Sequence, residues 1–138
     1  MTETSQDRVQ FFSMDFFNKL VNGLNNDESL ARITKGLSTN LLLSCNELPS
    51  SYLVTVKEGR LSVKETSKNE AAEFSFTAPY QEWEKIARAQ AKIQGEVITG
   101  KIKFRGSMPK MLLYLNKVMG LESKIMKAIT NMPLAFNS

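Results

Sequence analysis

The sequence contains no histidine, which removes Ser-His-Asp and Cys-His hydrolase mechanisms, imidazole-ligated zinc and histidine acid–base chemistry near neutral pH. Cysteine is nearly absent too. Cys45 stands alone, so it cannot form an internal disulfide or hold zinc by itself. It falls on an apolar alternation and reads as buried filler rather than as a reactive thiol, and a lone thiol fits a reducing compartment. No apolar run approaches the roughly 20 residues that cross a bilayer. Residues 1–7 lack the basic and apolar regions of a secretory signal, and residues 134–138 spell no peroxisomal or retention signal; the expectation is a cytoplasmic protein. Spaced Asp/Asn ligands for calcium are missing as well, and neither a metal nor a cofactor is expected.

What remains is 138 residues with 42% hydrophobic and 23% charged side chains. That is the composition of a single globular domain over 1–138, long enough to hide roughly 65–70% of its unfolded surface without staples. Charge is uneven. Residues 1–94 carry 11 basic and 12 acidic groups, whereas residues 95–138 carry 7 basic and 2 acidic. The last third is therefore cationic, either as a solvated face or as a surface for transient contact with an anionic membrane. Nucleic acid is not expected, because no aromatic stacking ladder accompanies these lysines.

Over residues 7–24 the apolar positions Val9, Phe12, Phe16, Leu20 and Leu24, widened by Phe17 and Val21, predict an amphipathic helix. Its phenylalanines either pack on a sheet or enter a membrane; packing is the expectation. Asn25, Asn26 and Asp27 offer an N-cap for a shorter helix carrying Leu30, Ile33 and Leu37 and ending near Gly36. The period then changes to two. Leu41, Leu43 and Cys45, then Tyr52, Val54 and Val56, then Leu61 and Val63 predict three strands, with Glu58 and Gly59 as a hairpin link. Ala72, Phe74 and Phe76 predict a fourth, and an antiparallel meander is the simplest arrangement. Thr77 or Ala78 can cap a helix with Pro79 in its first turn, running through Trp83, Ile86, Ala87, Gln90 and Ile93, with Glu82, Lys85, Arg88 and Lys92 on its polar face. Gly95 and Gly100 bracket Val97 and Ile98, and Ile102 and Phe104 alternate with Lys101, Lys103 and Arg105 in a fifth strand. Ser107 caps a final helical region that is apolar through Met108, Met111, Leu112, Leu115, Val118 and Met119, and again through Leu121, Ile125, Met126 and Ile129. So apolar a helix must be covered by protein or must cover something greasy.

Gly95, Gly100 and Lys101 have the spacing of a Walker loop, but Ile102 stands where its hydroxyl belongs and a strand follows where a helix is needed. Five of the seven methionines, Met108, Met111, Met119, Met126 and Met132, lie in the last 31 residues. Their unbranched, polarizable side chains suit a surface that accepts flexible apolar ligands or several partners, and equally suit ordinary core filling.

The stretch from the Phe74/Phe76 strand through Thr77-Ala78-Pro79, Trp83, Gly95 and Thr99-Gly100-Lys101-Ile102-Lys103-Phe104-Arg105-Gly106-Ser107 into an apolar helix resembles the sterol carrier protein type 2 family of lipid-binding domains. The resemblance spans most of the chain. It implies an α+β fold, a five-stranded largely antiparallel sheet covered on one face by helices, with an apolar tunnel for a fatty acid, acyl chain, isoprenoid or sterol and no catalysis. Phe104, Met111, Leu112 and Leu115 would line that tunnel, with Phe74, Phe76, Trp83 and Ile86 opposite and Met108 and Met119 completing the set. Lys101, Lys103 and Arg105 would face outward or meet an anionic headgroup. A lipid carrier is thus the leading function, with an interaction scaffold on the same C-terminal helices as the alternative and a dimer possible through the first helix; no pairing of acid and base supports an enzyme.

Overall fold

Polar groups at chain bends decide where the helices begin and end. The computed structural model describes the backbone of residues 8–117 and 119–137 and the side chains of 8–114 and 123–137. Among the described residues the elements run β1 (Val9–Gln10), α1 (Met14–Asn25), α2 (Glu28–Thr34), β2 (Thr39–Cys45), β3 (Ser51–Lys57), β4 (Arg60–Thr66), β5 (Phe74–Ala78), α3 (Tyr80–Ala87), α4 (Ile93–Ile98), β6 (Lys103–Arg105), α5 (Met108–Lys117), α6 (Met119–Thr130) and β7 (Leu134–Ala135).

The opening helix, expected over 7–24, starts only at Met14, where the Ser13 hydroxyl accepts from the Phe16 amide at 3.2 Å and satisfies a donor that the helix leaves orphaned. Val9 and Gln10 are strand instead. Val9 N donates to Pro133 O at 2.8 Å and Phe11 N to Ala135 O at 2.9 Å, so β1 pairs in parallel with β7. Asp27 caps α2, accepting from the Ser29 and Leu30 amides at 3.0 and 3.2 Å. The hydrogen bond from Ser29, the Lys124 ammonium at 3.0 Å and the Leu30 amide hold its carboxyl far below the usual range. Leu37 lies beyond the end of α2.

Strands β2, β3 and β4 are antiparallel neighbours. Glu58 at φ +51° and Gly59 at φ +79° join β3 to β4, the two left-handed residues of a type I′ turn. The meander ends there. β5 runs parallel to β2, β6 closes the far edge antiparallel to β5, and the order is β4-β3-β2-β5-β6. The sheet is thus mixed, with β2–β5 its one parallel pairing. Its register explains why: Leu41, Leu43 and Cys45 lie beside Phe74, Phe76 and Ala78, which merges two apolar stripes into one face. Glu73 secures the approach, its amide donating to Asn40 Oδ1 at 2.6 Å while its carboxylate accepts from the Thr39 hydroxyl.

The helices gather on that face. Phe17 of α1 stacks on Tyr52 at 4.6 Å, Trp83 of α3 lies 5.4 Å from Phe12, and Tyr114 of α5 meets Phe74 edge-on at 5.8 Å. Two boundaries differ from expectation around α3. Thr77 and Ala78 belong to β5, and the helix is capped from outside by Glu47, whose Oε1 accepts from the Tyr80 amide at 2.9 Å. It ends at Ala87, because Ala89 turns left-handed at φ +60° while Gln90 N donates to Lys85 O and Ala89 N to Ile86 O, the bond pair of a Schellman termination. Gln90 therefore lies outside any helix, and Ile93, Val97 and Ile98 form α4.

Ala89 occupies a conformation that favours glycine. Ala89→Gly is expected to raise unfolding stability by about 0.5–1 kcal/mol in a denaturant titration. Gly59→Ala should do the reverse by about 1–3 kcal/mol, since a Cβ there would sit 2.9 Å from Ala31 O on top of the positive φ.

Candidate functional site

The site is built on the β5/β6 end of the apolar face. Phe74 and Phe76 point inward at 1% and 7% exposure. Phe104 on β6 pairs with Phe76 in the ladder and brings its ring to 5.9 Å from Phe74 and 5.2 Å from Phe76. Gly106 then lets the chain turn closely over these rings: at φ +133° a Cβ would lie 2.7 Å from Glu73 O and 2.9 Å from the Phe74 ring. Ser107 starts α5, its hydroxyl accepting from the Lys110 amide at 3.3 Å and its carbonyl from Met111. Met111 is buried, and Met108 and Leu112 are half-buried against the same cluster. Lys110 fastens the helix outside through an ion pair with Glu73, which holds the carboxyl below and the ammonium above their ordinary values.

Of the residues singled out in the sequence, Phe74, Phe76, Phe104, Met108, Met111 and Leu112 belong to this cluster, together with Trp83 and Ile86. Their placement differs from expectation in one respect. Phe74 and Phe76 are neighbours of Phe104 on one sheet face, not opposite it. Trp83 sits toward the other end, with Phe12, and its indole N–H donates to Ser44 O at 2.9 Å. Leu115 and Met119 lie on α5 and α6, but their side chains fall outside the described residues. Tyr114, Ile125, Met126 and Phe136 also pack on the cluster. Ile125 and Met126 were read in the helical stripe; Tyr114 was missed, although it stands three residues after Met111, and Phe136, 5.3 Å from Phe11 and under the Arg88 guanidinium at 4.2 Å, carried no local signal.

The apolar tunnel is not seen among the described residues. Two open hollows of about 520 and 590 Å³ lie around α2, one lined by Asp27, Ser29 and Arg32 among others, the second by Arg32, Lys35 and Glu58 among others. Neither is lined by a residue of the aromatic cluster.

Glu82 is a correction. Expected on a solvated face, it is 7% exposed and its Oε2 has no hydrogen-bond partner among the described residues. Burial, followed by the neighbouring Glu96 carboxyl, pushes its titration upward against the pull of Lys85 and Lys101. Cys45 is fully buried, as its alternation predicts, and burial raises its thiol. Among the described residues no group of three His, Cys, Asp or Glu side chains is placed to hold a metal ion.

Comparison with known proteins decides the family. Residues 17–118 match the SCP-2 sterol transfer family. The chain belongs to that family. Lipid binding and transfer is the general function of the SCP-2 family, and the fold agrees. A crystal structure of sterol carrier protein 2 superposes with a TM-score of 0.73 at 12% identity, covering 89% of this chain and 99% of that one. A conserved hypothetical protein from Thermus thermophilus, described as possibly sterol carrier protein, gives 0.74 at 12% identity over 91% and 92%. Apo sterol carrier protein 2 from Yarrowia lipolytica gives 0.57 at 20% identity over 91% and 98%. No curated protein matches the chain. Among the described residues no helix is long and apolar enough to cross a membrane.

The raised titration of Glu82 means that the folded state holds its proton more tightly than the unfolded chain does, so stability falls as pH climbs from the ordinary glutamate value of 4.5 through the folded one. Glu82→Gln should flatten that decline, making the variant more stable than the parent at pH 7 to 8; urea midpoints measured from pH 4.5 upward check it, and parallel curves for the two proteins would refute it.

Proposed function

We propose that this SCP-2 family domain, a single unit over residues 1–138, binds one hydrophobic lipid without chemistry and carries or presents it. The guest would lie between the Phe74, Phe76 and Phe104 face and α5, reaching Trp83 and Ile86 at its deep end, with Leu115 and Met119 on the helices above. The observation carrying this reading is the graded burial of one seam: Phe104, Met108 and Leu112 are half-buried directly outside buried Phe74, Phe76 and Met111. A seam of that kind exposes apolar edge to an arriving chain and continues into fully dry interior.

Magnitudes support entry by displacement. A sixteen-carbon chain gains roughly 12 kcal/mol gross when each methylene contributes about 0.8 kcal/mol, whereas the Lys110–Glu73 pair that fastens α5 is part-exposed and resists little. Methionine side chains reshape readily around such a guest. Fatty acids, acyl chains, isoprenoids and sterol-like lipids all satisfy this chemistry. Transfer also requires contact with a donor membrane, and the cations of the last third, Lys101, Lys103 and Arg105, are exposed.

Leu113, 52% exposed on α5, favours a second reading in which the same helices bind a protein. Native mass spectrometry of detergent-free material separates the two: a bound hydrocarbon mass on a single subunit supports the carrier, and a stable assembly with no extractable ligand supports the scaffold. For the carrier, Leu112→Glu places a charge in the seam and should weaken uptake of a fluorescent fatty acid by about tenfold or more with the fold intact by circular dichroism. Delipidated parent protein that takes up none of the lipid classes, and from which none co-purifies, would overturn it.

A further inference from the structure

We propose that Lys110 is the headgroup anchor of the lipid site and makes it selective for single-chain lipids that end in a carboxylate. This rests on the carrier reading of the seam. Three contacts fix where the ammonium stands: it pairs with the Glu73 carboxylate, it lies 5.8 Å from the centre of the Tyr114 ring, and that ring meets Phe74 edge-on. Glu73 in turn precedes Phe74 directly. A Cβ on Gly106 would lie 2.7 Å from the Glu73 carbonyl oxygen, 2.9 Å from the Phe74 ring and 3.3 Å from the Phe104 ring, so these groups converge on one spot. The ion pair is thus set beside the Phe74 and Phe104 floor, with the Lys110 side chain 48% exposed and within reach of an arriving head.

The turns of α5 place a guest under this ammonium. Lys110 and Tyr114 are one turn apart on one flank of the helix, Met108 and Leu112 one turn apart on the other, and buried Met111 lies between. A chain that slides between the sheet and Met111 runs from one flank to the other. Its head then rests beside Lys110 while its tail continues into the apolar interior. Lys103 and Arg105 do not serve here. They flank Phe104 on β6, and because Phe104 faces the helices beside Phe76, both are turned to the other side of the sheet.

Glu73 shows which head fits. Its carboxylate already holds the place that a lipid carboxylate would take, so exchange of one for the other keeps the Lys110 charge paired. The displaced Glu73 retains the Thr39 hydroxyl, and its backbone amide stays on Asn40 Oδ1. A hydroxyl head offers no charge. It either leaves the Lys110 and Glu73 pair in place or parts it without return, which separates acids from alcohols of equal chain length.

The test measures dissociation constants of dodecanoic acid and dodecan-1-ol for the delipidated full chain at pH 8, where the free carboxyl is ionised, by displacement of an uncharged fluorescent alkyl probe. The quantity followed is the preference for acid over alcohol. Lys110→Gln should lower it by about threefold to tenfold and Lys110→Arg should keep most of it. Glu73→Gln removes the competing carboxylate, keeps an acceptor for Thr39, and should raise the preference by about threefold. Loosened packing of α5 would shift both lipids alike and leave the preference unmoved. Lys103→Gln, the same charge change on the other side of the sheet, should alter it by less than about twofold. A preference untouched by Lys110→Gln, moved equally by Lys103→Gln, or lowered by Glu73→Gln would overturn the proposal while continued binding of both lipids left the carrier reading standing. Parent protein that takes up neither lipid would overturn both.

Discussion

Because β5 lies parallel to β2 with Phe74 beside Leu41 and Phe76 beside Leu43, the sheet has one continuous apolar face, and Tyr114 of α5 packs on it against Phe74. A slip of one residue would turn Phe74 and Phe76 to the far side and bring Ser75 and Thr77 inward. Tyr114 of α5 would lose its edge-on partner Phe74 at the same time. The same register sorts charge: it sends Lys103 and Arg105 outward because it sends Phe104 inward.

The strands were legible because alternation is short-range and strong, and the Glu58-Gly59 link because its left-handed geometry demands such residues. The parallel placement of β5 was not, since nothing in residues 67–73 says which edge of a sheet the chain will reach. Nor was the late start of α1: Val9 is apolar at helical spacing, and only its bond to Pro133 O, at the far end of the chain, makes it strand. Glu82 is a different kind of miss. It stands four residues before Ile86 and so shares a stripe with it, a position available to reading that its charge concealed. The family resemblance pointed to Phe104 and the Met111–Leu112 turn, and the structure brings those together; the tunnel it also implied is not seen among the described residues.

Consecutive Phe11 and Phe12 are both 4% exposed yet pack on different partners. Phe12 at φ +59° turns the chain between them. A strained backbone of that kind costs about 1–3 kcal/mol, and burying a phenylalanine returns roughly 1.5–3 kcal/mol. The kink lets Phe11 reach Tyr80 and Phe136 while Phe12 meets Phe17, Tyr52 and Trp83.

The short parallel pair of β1 with β7 has a mechanical consequence for the helices that precede it. α5 and α6 are held at one end by β6 and Gly106 and at the other by the clasp of Leu134 and Ala135 on Val9 and Gln10. They form a tethered span, not a free arm, and any slack for lifting α5 from the sheet must be found between the two moorings. A cut or weakening at the first strand, remote in sequence, would therefore loosen the last helices as surely as one made beside them.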